Sequence, residues 1–395
     1  MTSLRIRSID ILRGLTLLLM LFVNDLNMNV VPAWLGHSPE DVDGMGLADW
    51  VFPGFLFIVG MSVPFALSKR FAKEEPANMI IRHIVKRSVS LIIIGILMLN
   101  AGRVDPDLTG ISRNMWAMLM YVGVFLLWND YHDADRKFFT VAGFRFLALV
   151  IFVFLVFKFN SGKQENNGSL ITGWWGILGQ IGWGYLVAAL IYVSFRDSIL
   201  KISVVTLVFL AMNMLDGWGY TGFLDNVRRV LGIVIQGSVP FIVLSGLTGG
   251  VILKKLKTSD YKKVILIFAG LGIAFLVSGF ILRKWFIISK IMATPSWGMI
   301  CSGISFLVYG FLFWLIDIKG FSKWAFFLKP AGENSLTTYL APNILYHLIW
   351  MSGVPVLIYK QSPEPLVVIA GSLAWALLMA GLAALLARVG IRLRL

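Results

Sequence analysis

Twelve apolar stretches, each near the length that crosses a lipid bilayer, follow one another along this chain. A hydrocarbon core of about 30 Å requires about 20 residues of helix, and only backbone with internally satisfied hydrogen bonds can cross it. The stretches lie near residues 8–28, 47–68, 84–101, 114–129, 138–158, 174–194, 198–215, 231–253, 263–282, 297–317, 333–351 and 365–388. The sequence therefore predicts an all-α polytopic membrane protein, a bundle of about 12 transmembrane helices.

Composition agrees with this interpretation. Hydrophobic residues make up 58% of the chain and charged residues 14%, against about 45–50% and 25% in soluble domains. The segments between the stretches are short, so residues 1–395 are predicted to form a single transmembrane domain. The single cysteine, Cys301, excludes a disulfide framework, and no histidine has the spacing of a metal site, so no metal is predicted.

Lysine and arginine residues set the predicted orientation. Most of the 35 fall in segments on the same side as the N-terminus, which the positive-inside rule makes cytoplasmic. Both termini are therefore predicted to be cytoplasmic, in an integral multi-pass protein of the cytoplasmic (inner) membrane. The net charge of +14 follows from this topology, and no nucleic-acid partner is needed to explain it.

Ionisable residues are costly inside spans and mark candidate sites. Asp10 and Arg13 lie three residues apart in the first span, where pairing on one helix face is the structural interpretation. The segment from Asn24 to Asp49 is rich in Asn, Asp and Glu, contains His37, and has no Lys or Arg. An imidazole among carboxylates can act as a general base. The alternative is an ordinary external loop with a solvated histidine.

Polar side chains also occur in or near later spans. Gln180, Asn334, Ser335 and Tyr339 lie within or at the ends of spans, and His347 lies at a predicted outer end. Intramembrane amides and hydroxyls frequently bridge helices, and a histidine with aromatic neighbours fits an interface belt. Helix bridging is therefore the main interpretation, with substrate contact as the alternative.

Four segments occur in an order that resembles a known family. They are RIRSIDILRGLTLLLMLFVND, WLGHSPEDVDGMGLADWVFPGFLFIVGMS, GILGQIGWGYLVAAL and GENSLTTYL. Together they resemble the landmarks of the heparan-alpha-glucosaminide N-acetyltransferase family and its bacterial relatives, and the first also resembles the wider transmembrane acyltransferase group. The most specific part is the histidine that precedes the aspartate and the VFPGFLFIVG helix.

The resemblance implies an enzyme that takes an acetyl group from cytosolic acetyl-CoA and delivers it to an amino sugar across the membrane. His37 matches the family's active-site histidine, and Asn24, Asp49 and Asn334 match its asparagine, aspartate and late asparagine positions. His37 would remove the acceptor proton, oriented by Asp25 or Asp49. Asn24 or Asn334 would donate a hydrogen bond to the oxyanion. A transient acetyl-histidine is the alternative route.

The chain also departs from the family pattern. Relatives have R-I-P-G-V-L-Q-R where this chain has GWWGILGQ at residues 173–180, and the fourth and fifth spans form a hairpin additional to a ten-helix core. If the lost arginines hold CoA in relatives, other cations must do so here. The predicted CoA-binding residues are Arg13, Arg82, Lys86 and Arg87. The predicted acceptor-binding residues are Gln180, Asn334, Ser335, Tyr339 and His347.

Two other classes of protein remain as alternatives. A secondary transporter often has about this number of spans, but transporters commonly show internal repeats with matching broken helices, and the second-span block has no counterpart in the latter half. A non-catalytic relative that binds or moves lipid-linked sugars is the other alternative. The expected partners are the bilayer and an extracytoplasmic sugar or glycan, and a homodimer is left open.

Overall fold

A computed structural model describes residues 6–131, 138–256 and 260–395. These residues form helices and connecting segments, with no β-strand among them. The helices are α1 (Arg7–Asp25), α2 (Leu47–Phe71), α3 (Ala77–Ala101), α4 (Pro106–Thr109), α5 (Arg113–Trp128), α6 (Phe138–Lys158), α7 (Gly176–Phe195), α8 (Ile199–Gly217), α9 (Asp225–Gln236), α10 (Ser238–Leu256), α11 (Tyr261–Leu282), α12 (Pro295–Leu312), α13 (Leu328–Glu333), α14 (Ser335–Ser352) and α15 (Pro365–Arg388).

Each predicted apolar stretch coincides with helix, which confirms an all-α polytopic membrane protein. In the described part of the chain, nine helical segments are long and apolar enough to cross a bilayer. Three predicted spans fall outside this group. Helix α1 carries charged residues, α5 has only 16 residues, and α14 contains several polar side chains and a proline. The predicted number of about 12 transmembrane helices therefore exceeds the number of described helical segments that are both long enough and apolar enough to span a bilayer.

Glycines allow several helices of the bundle to approach closely. A Cβ added at Gly60 of α2 would overlap the Val243 carbonyl oxygen of α10, and one added at Gly14 of α1 would overlap that of Leu328 in α13. Membrane bundles rely on such small residues because lipid provides no hydrophobic drive between helices. The short helix α13 is thereby held against α1.

The start of α1 is capped by a residue distant in sequence. The carboxylate of Asp317 accepts the backbone N–H groups of Arg7 and Ser8, both at 3.0 Å. The first amides of a helix lack intrahelical partners, and an anion there is favoured by the helix dipole. Asp317 lies in the π-helical segment Phe313–Ile318 that continues α12, so the beginning of α1 is tied to the end of α12.

The start of α1 and the end of α15 lie at the same end of the bundle, since both border one cavity. We call this the inner end, following the predicted orientation, and the opposite end the outer end. At the outer end, α1 is followed by the segment 26–46, which leads into α2. We call this segment the histidine loop.

The histidine loop is bound to the segment 283–294 that joins α11 and α12, which we call the lysine loop. Asp43 accepts the backbone N–H of Ile288 at 2.8 Å and the Arg283 Nε–H at 2.7 Å. Gly44 N–H donates to the Ile288 carbonyl oxygen at 3.0 Å. The Ile288 hydrogen bond and Arg283 together lower the pKa of Asp43. Two segments from distant parts of the sequence therefore form one outer surface.

Candidate functional site

His37 and Asp49 form a hydrogen-bonded pair at the outer end. Asp49 lies in the first turn of α2, in a capping position where its Oδ2 accepts the Gly46 N–H at 3.0 Å. The same oxygen accepts the Ser38 N–H at 2.9 Å, and Oδ1 lies 2.7 Å from His37 Nδ1. The Asp49 side chain is 1% exposed and that of His37 is 41% exposed. A buried, backbone-anchored carboxylate thus orients an accessible imidazole.

The hydrogen bonds around Asp49 also define the proton position on the imidazole. Asp49 Oδ2 accepts two backbone N–H groups, which favours the ionised carboxylate, so we assign the hydrogen between Oδ1 and His37 Nδ1 to the ring nitrogen. Nε2 then carries a free lone pair, and it makes no hydrogen bond with any described residue. An imidazole held in this orientation presents Nε2 as the nitrogen that can act as a general base.

Lys290 of the lysine loop is the third member of this cluster. Its Nζ lies 3.1 Å from His37 Nδ1, 3.9 Å from Asp49 Oδ1 and 3.5 Å from the Ala48 carbonyl oxygen. Burial lowers the pKa of the Lys290 ammonium, although the Asp49 carboxylate opposes this effect. Because Nδ1 donates to Asp49, Lys290 acts on the imidazole through its charge. Sequence reasoning missed this residue, since nothing separates it from other cations of predicted external loops.

Helix α12 supports the Asp49 backbone. Trp297 Nε1 donates to the Asp49 carbonyl oxygen at 3.1 Å, and Trp50 Nε1 donates to Ser305 Oγ at 3.2 Å. Both indole N–H groups are buried, where an unmade hydrogen bond is costly. These two bonds fix the first turn of α2, and hence Asp49, relative to α12.

Asp25 is engaged elsewhere. Its buried carboxylate accepts hydrogen bonds from the hydroxyls of Tyr346 and Tyr359, the latter at 2.5 Å, and lies 2.6 Å from Lys360 Nζ. These contacts join the end of α1 to α14 and to the segment before α15. Of the two carboxylates predicted to orient the imidazole, the structure brings Asp49 and not Asp25 into contact with His37.

Asn24 and Tyr339 border one small cavity between α1, α14 and α15. Its other lining residues are Leu21, Pro342, Asn343, Tyr346 and Trp375. The Asn24 side chain is exposed, and among the described residues its amide has no hydrogen-bond partner. The structure therefore joins two residues that the sequence analysis treated separately, and leaves the Asn24 amide available as a donor.

Three other predicted acceptor-binding residues have hydrogen-bond partners within the described part of the chain. Ser335 and Gln180 donate to backbone carbonyl oxygens at 2.8 and 3.3 Å. His347 Nδ1 lies 3.1 Å from the Asn114 side-chain oxygen, so His37 and His347 share no partner in the described ranges. Within residues 6–131, 138–256 and 260–395, no three His, Cys, Asp or Glu side chains group as metal ligands.

Arg13 and Asn334 lie together at the inner end. They border a cavity of about 570 Å³ that is also lined by Arg388, Arg392 and Arg394. Asn334 is therefore grouped with cations at the opposite end of α1 from Asn24. The three C-terminal arginines were missed because their sequence position made them simple topology signals.

The other predicted CoA-binding residues lie on α3. Arg82 and Lys86 are exposed, and the Arg87 guanidinium lies 4.7 Å from the Tyr185 ring centroid in a cation–π contact. The structure thus places Arg13 in a basic cavity and distributes the other three along a different helix.

Comparison with known proteins gives a family and two relatives. The family model described as Domain of unknown function (DUF5009) matches residues 5–218. The heparan-alpha-glucosaminide N-acetyltransferase of Mus musculus is 36% identical over 140 residues, 33% of this chain and 21% of that protein. The Homo sapiens protein of that name is 34% identical over 96 residues, 24% of this chain and 14% of that protein. The alignments thus span about a fifth or less of these relatives, and they confirm the predicted resemblance.

Proposed function

We infer that this chain, which belongs to the family described as Domain of unknown function (DUF5009), is a transmembrane acetyltransferase. Its homology to heparan-alpha-glucosaminide N-acetyltransferases supports the general activity. The finer proposal is that acetyl-CoA donates the acetyl group from the cytoplasmic side of the inner membrane. The acceptor is an amine or hydroxyl of an amino sugar on the outer side.

The observation that carries this proposal is the Asp49–His37 pair. A buried carboxylate holds a partly exposed imidazole at the outer end and leaves Nε2 without a hydrogen-bond partner among the described residues. Acyl transfer to an amine or hydroxyl needs such a base, because the attacking atom must lose a proton as its bond to carbon forms. A positioned general base accelerates such a step by about 10²- to 10⁴-fold.

In the proposed reaction, His37 Nε2 accepts a proton from the acceptor as its nitrogen or oxygen attacks the thioester carbonyl. The carbon–sulfur bond then breaks, and the imidazolium returns the proton to the departing CoA thiolate. The products are the acetylated sugar and CoA with a free thiol. The Asn24 amide donates a hydrogen bond to the developing oxyanion, a contribution of about 10²- to 10³-fold for one donor.

Label transfer from radioactive acetyl-CoA to glucosamine tests the function. We expect wild-type protein to acetylate glucosamine, and His37→Ala to lower kcat by about 10²- to 10⁴-fold with little change in acetyl-CoA affinity. His83→Ala is the matched control, since His83 lies on α3 away from the pair. Transfer that survives His37→Ala would remove this histidine from the mechanism.

Three further measurements separate this reaction from the acetyl-histidine route, the transporter and the non-catalytic relative. Acetyl label on the protein before acceptor is added would indicate an acetyl-histidine intermediate. Uptake of unmodified glucosamine into vesicles without acyl-CoA binding would favour a transporter. Binding of a lipid-linked sugar without any label transfer would favour the non-catalytic relative.

A further inference from the structure

A cavity at the inner end has a composition that the acid–base chemistry at His37 does not explain. It measures about 570 Å³ and lies between α1, α13 and the end of α15. Its charged lining residues are Asp10, Arg13, Glu333, Arg388, Arg392 and Arg394. We call it the arginine cavity, because four guanidinium groups outnumber two carboxylates.

The C-terminal segment that supplies two of these arginines is fixed by hydrogen bonds. Arg392 N–H donates to the Asn129 side-chain oxygen at 2.8 Å, and Leu393 N–H donates to Thr337 Oγ1 at 2.9 Å. Arg394 N–H donates to a backbone oxygen at the end of α5 at 3.0 Å. A cationic wall that is already ordered loses little conformational entropy when it binds an anion.

The arginines differ in how fully they are engaged. Arg394 pairs with Asp130 at 2.6 Å, and Arg13 bonds to Ser62 and lies 3.5 Å from Asp10. The Arg388 guanidinium is exposed and has no ion pair or hydrogen bond with any residue in the described ranges. Its donors are therefore available, and a planar guanidinium suits bidentate contact with phosphate oxygens.

A second basic cavity adjoins the first. It measures about 550 Å³, and its cations are Arg7, Lys323 and Lys329. Asp10 lines both cavities, so they meet at this residue. The pair of cavities therefore matches a ligand with more than one phosphate group.

The arginine cavity also has a defined place relative to the small cavity lined by Asn24. Arg13 lines it, and Asn24, eleven residues further along α1, lines the small cavity between α1, α14 and α15. At 1.5 Å per residue this separation is about 16 Å. Helix α15 borders both cavities as well, through Arg388 in its last turn and Trp375 near its middle. A ligand with phosphates at one end and a reactive group at the other matches this arrangement.

We propose that the arginine cavity is a phosphate-binding site that holds the nucleotide phosphates of the acyl donor. The identity of this ligand rests on the proposed function, whereas the phosphate chemistry rests on the cavity itself. The headgroup of an anionic phospholipid offers the same chemistry, so the test must separate the two sources. The assignment also replaces Arg82, Lys86 and Arg87 as the predicted CoA contacts.

Calorimetric binding of CoA in nanodiscs of neutral phosphatidylcholine tests the nucleotide. We expect Arg388→Ala to weaken CoA binding about tenfold, the scale of one charge-assisted hydrogen bond, and Arg388→Ala with Arg392→Ala to weaken it further. Lys262→Ala, which removes an exposed cation from α11, is the control and should bind as wild type. An unchanged thermal midpoint would show that the variants fold. A loss of affinity in Arg82→Ala but not in Arg388→Ala would overturn the assignment.

A second arm tests the lipid. Native mass spectrometry of protein from phosphatidylglycerol nanodiscs counts retained lipids. If the double variant retains fewer lipids but binds CoA as tightly as wild type, the cavity is a phosphate-binding site whose ligand is a phospholipid headgroup. Unchanged retention of lipid together with unchanged binding of CoA would refute the site.

If Arg388→Ala binds CoA normally while His37→Ala abolishes transfer, this inference fails and the proposed function stands. If CoA binding depends on Arg388 but no acetyl transfer occurs, the inferred phosphate site stands and the proposed function fails.

Discussion

At the scale of single residues, the proposed acid–base chemistry depends on one 2.7 Å contact between His37 Nδ1 and Asp49 Oδ1. His37, Asp49 and Asn24 could be selected from the sequence because they stand in motifs that resemble a family. Lys290 could not, because it reaches the imidazole from a loop some 250 positions away. Asp25 looked equivalent to Asp49 in sequence, and only the tyrosines and lysine packed around it reveal its different role.

The Asp49 carboxylate should be needed for its charge as well as for its shape. Asp49→Asn retains an acceptor oxygen but removes the negative charge that stabilises the imidazolium, so we expect kcat to fall by about 10²- to 10⁴-fold. Acetyl-CoA affinity should change little. Asp41→Asn, in the exposed part of the histidine loop, is the matched control. An Asp49→Asn rate near that of wild type would exclude the pair as the source of catalysis.

Lys290 should add a step to the pH dependence of the rate. Its charged form opposes the imidazolium that forms during catalysis, so deprotonation of Lys290 should raise kcat. Burial lowers the pKa of Lys290, which places this rise below the ordinary lysine value of 10.5. We expect wild-type kcat to rise on the alkaline side as Lys290 loses its proton, and Lys290→Met to lack that rise. Lys284→Met, in the same loop, should retain it, and an identical profile in all three proteins would contradict this role.

At the scale of elements, two loops create the outer site. The spans themselves could be predicted, because about 20 consecutive apolar residues report a bilayer crossing directly. The pairing of the histidine loop with the lysine loop could not, since it consists of hydrogen bonds between segments far apart in sequence. The short helix α13 and the π-helical end of α12 also lack a periodic signal that would identify them.

Asp43 should hold these loops together in a pH-dependent way. Its pKa is lowered in the folded protein, so its stabilisation is complete above the ordinary aspartate value of 3.8 and is lost as the pH falls through the lower folded value. At neutral pH, Asp43→Asn removes the charge that pairs with Arg283, and we expect kcat/KM to fall about fivefold to tenfold. Hydrogen exchange of the histidine-loop amides should accelerate. Glu40→Gln is the control, and unchanged exchange in Asp43→Asn would disprove the coupling of the two loops.

At the scale of the whole molecule, α1 connects two chemically different ends. Its first turns border the arginine cavity and its last turn borders the Asn24 cavity. Its sequence predicted this polarity only in part, through Asp10 and Arg13 near one end and Asn24 and Asp25 near the other. The C-terminal arginines that complete the inner cavity join it through the folded tail, which no local pattern reveals.

Acetyl transfer across the bilayer of proteoliposomes is the decisive test of whether the acetyl group of cytoplasmic acetyl-CoA reaches an acceptor at His37. Labelled acetyl-CoA is supplied outside the vesicles. Glucosamine is enclosed in the lumen in one preparation and added outside in a second. Acetylated glucosamine is then measured in both preparations. We predict lumenal product from wild-type molecules whose inner end faces outward, and at least about 100-fold less from His37→Ala. Product that forms only when donor and acceptor share one side, or that is equal in the two proteins, would contradict transfer to an acceptor at His37.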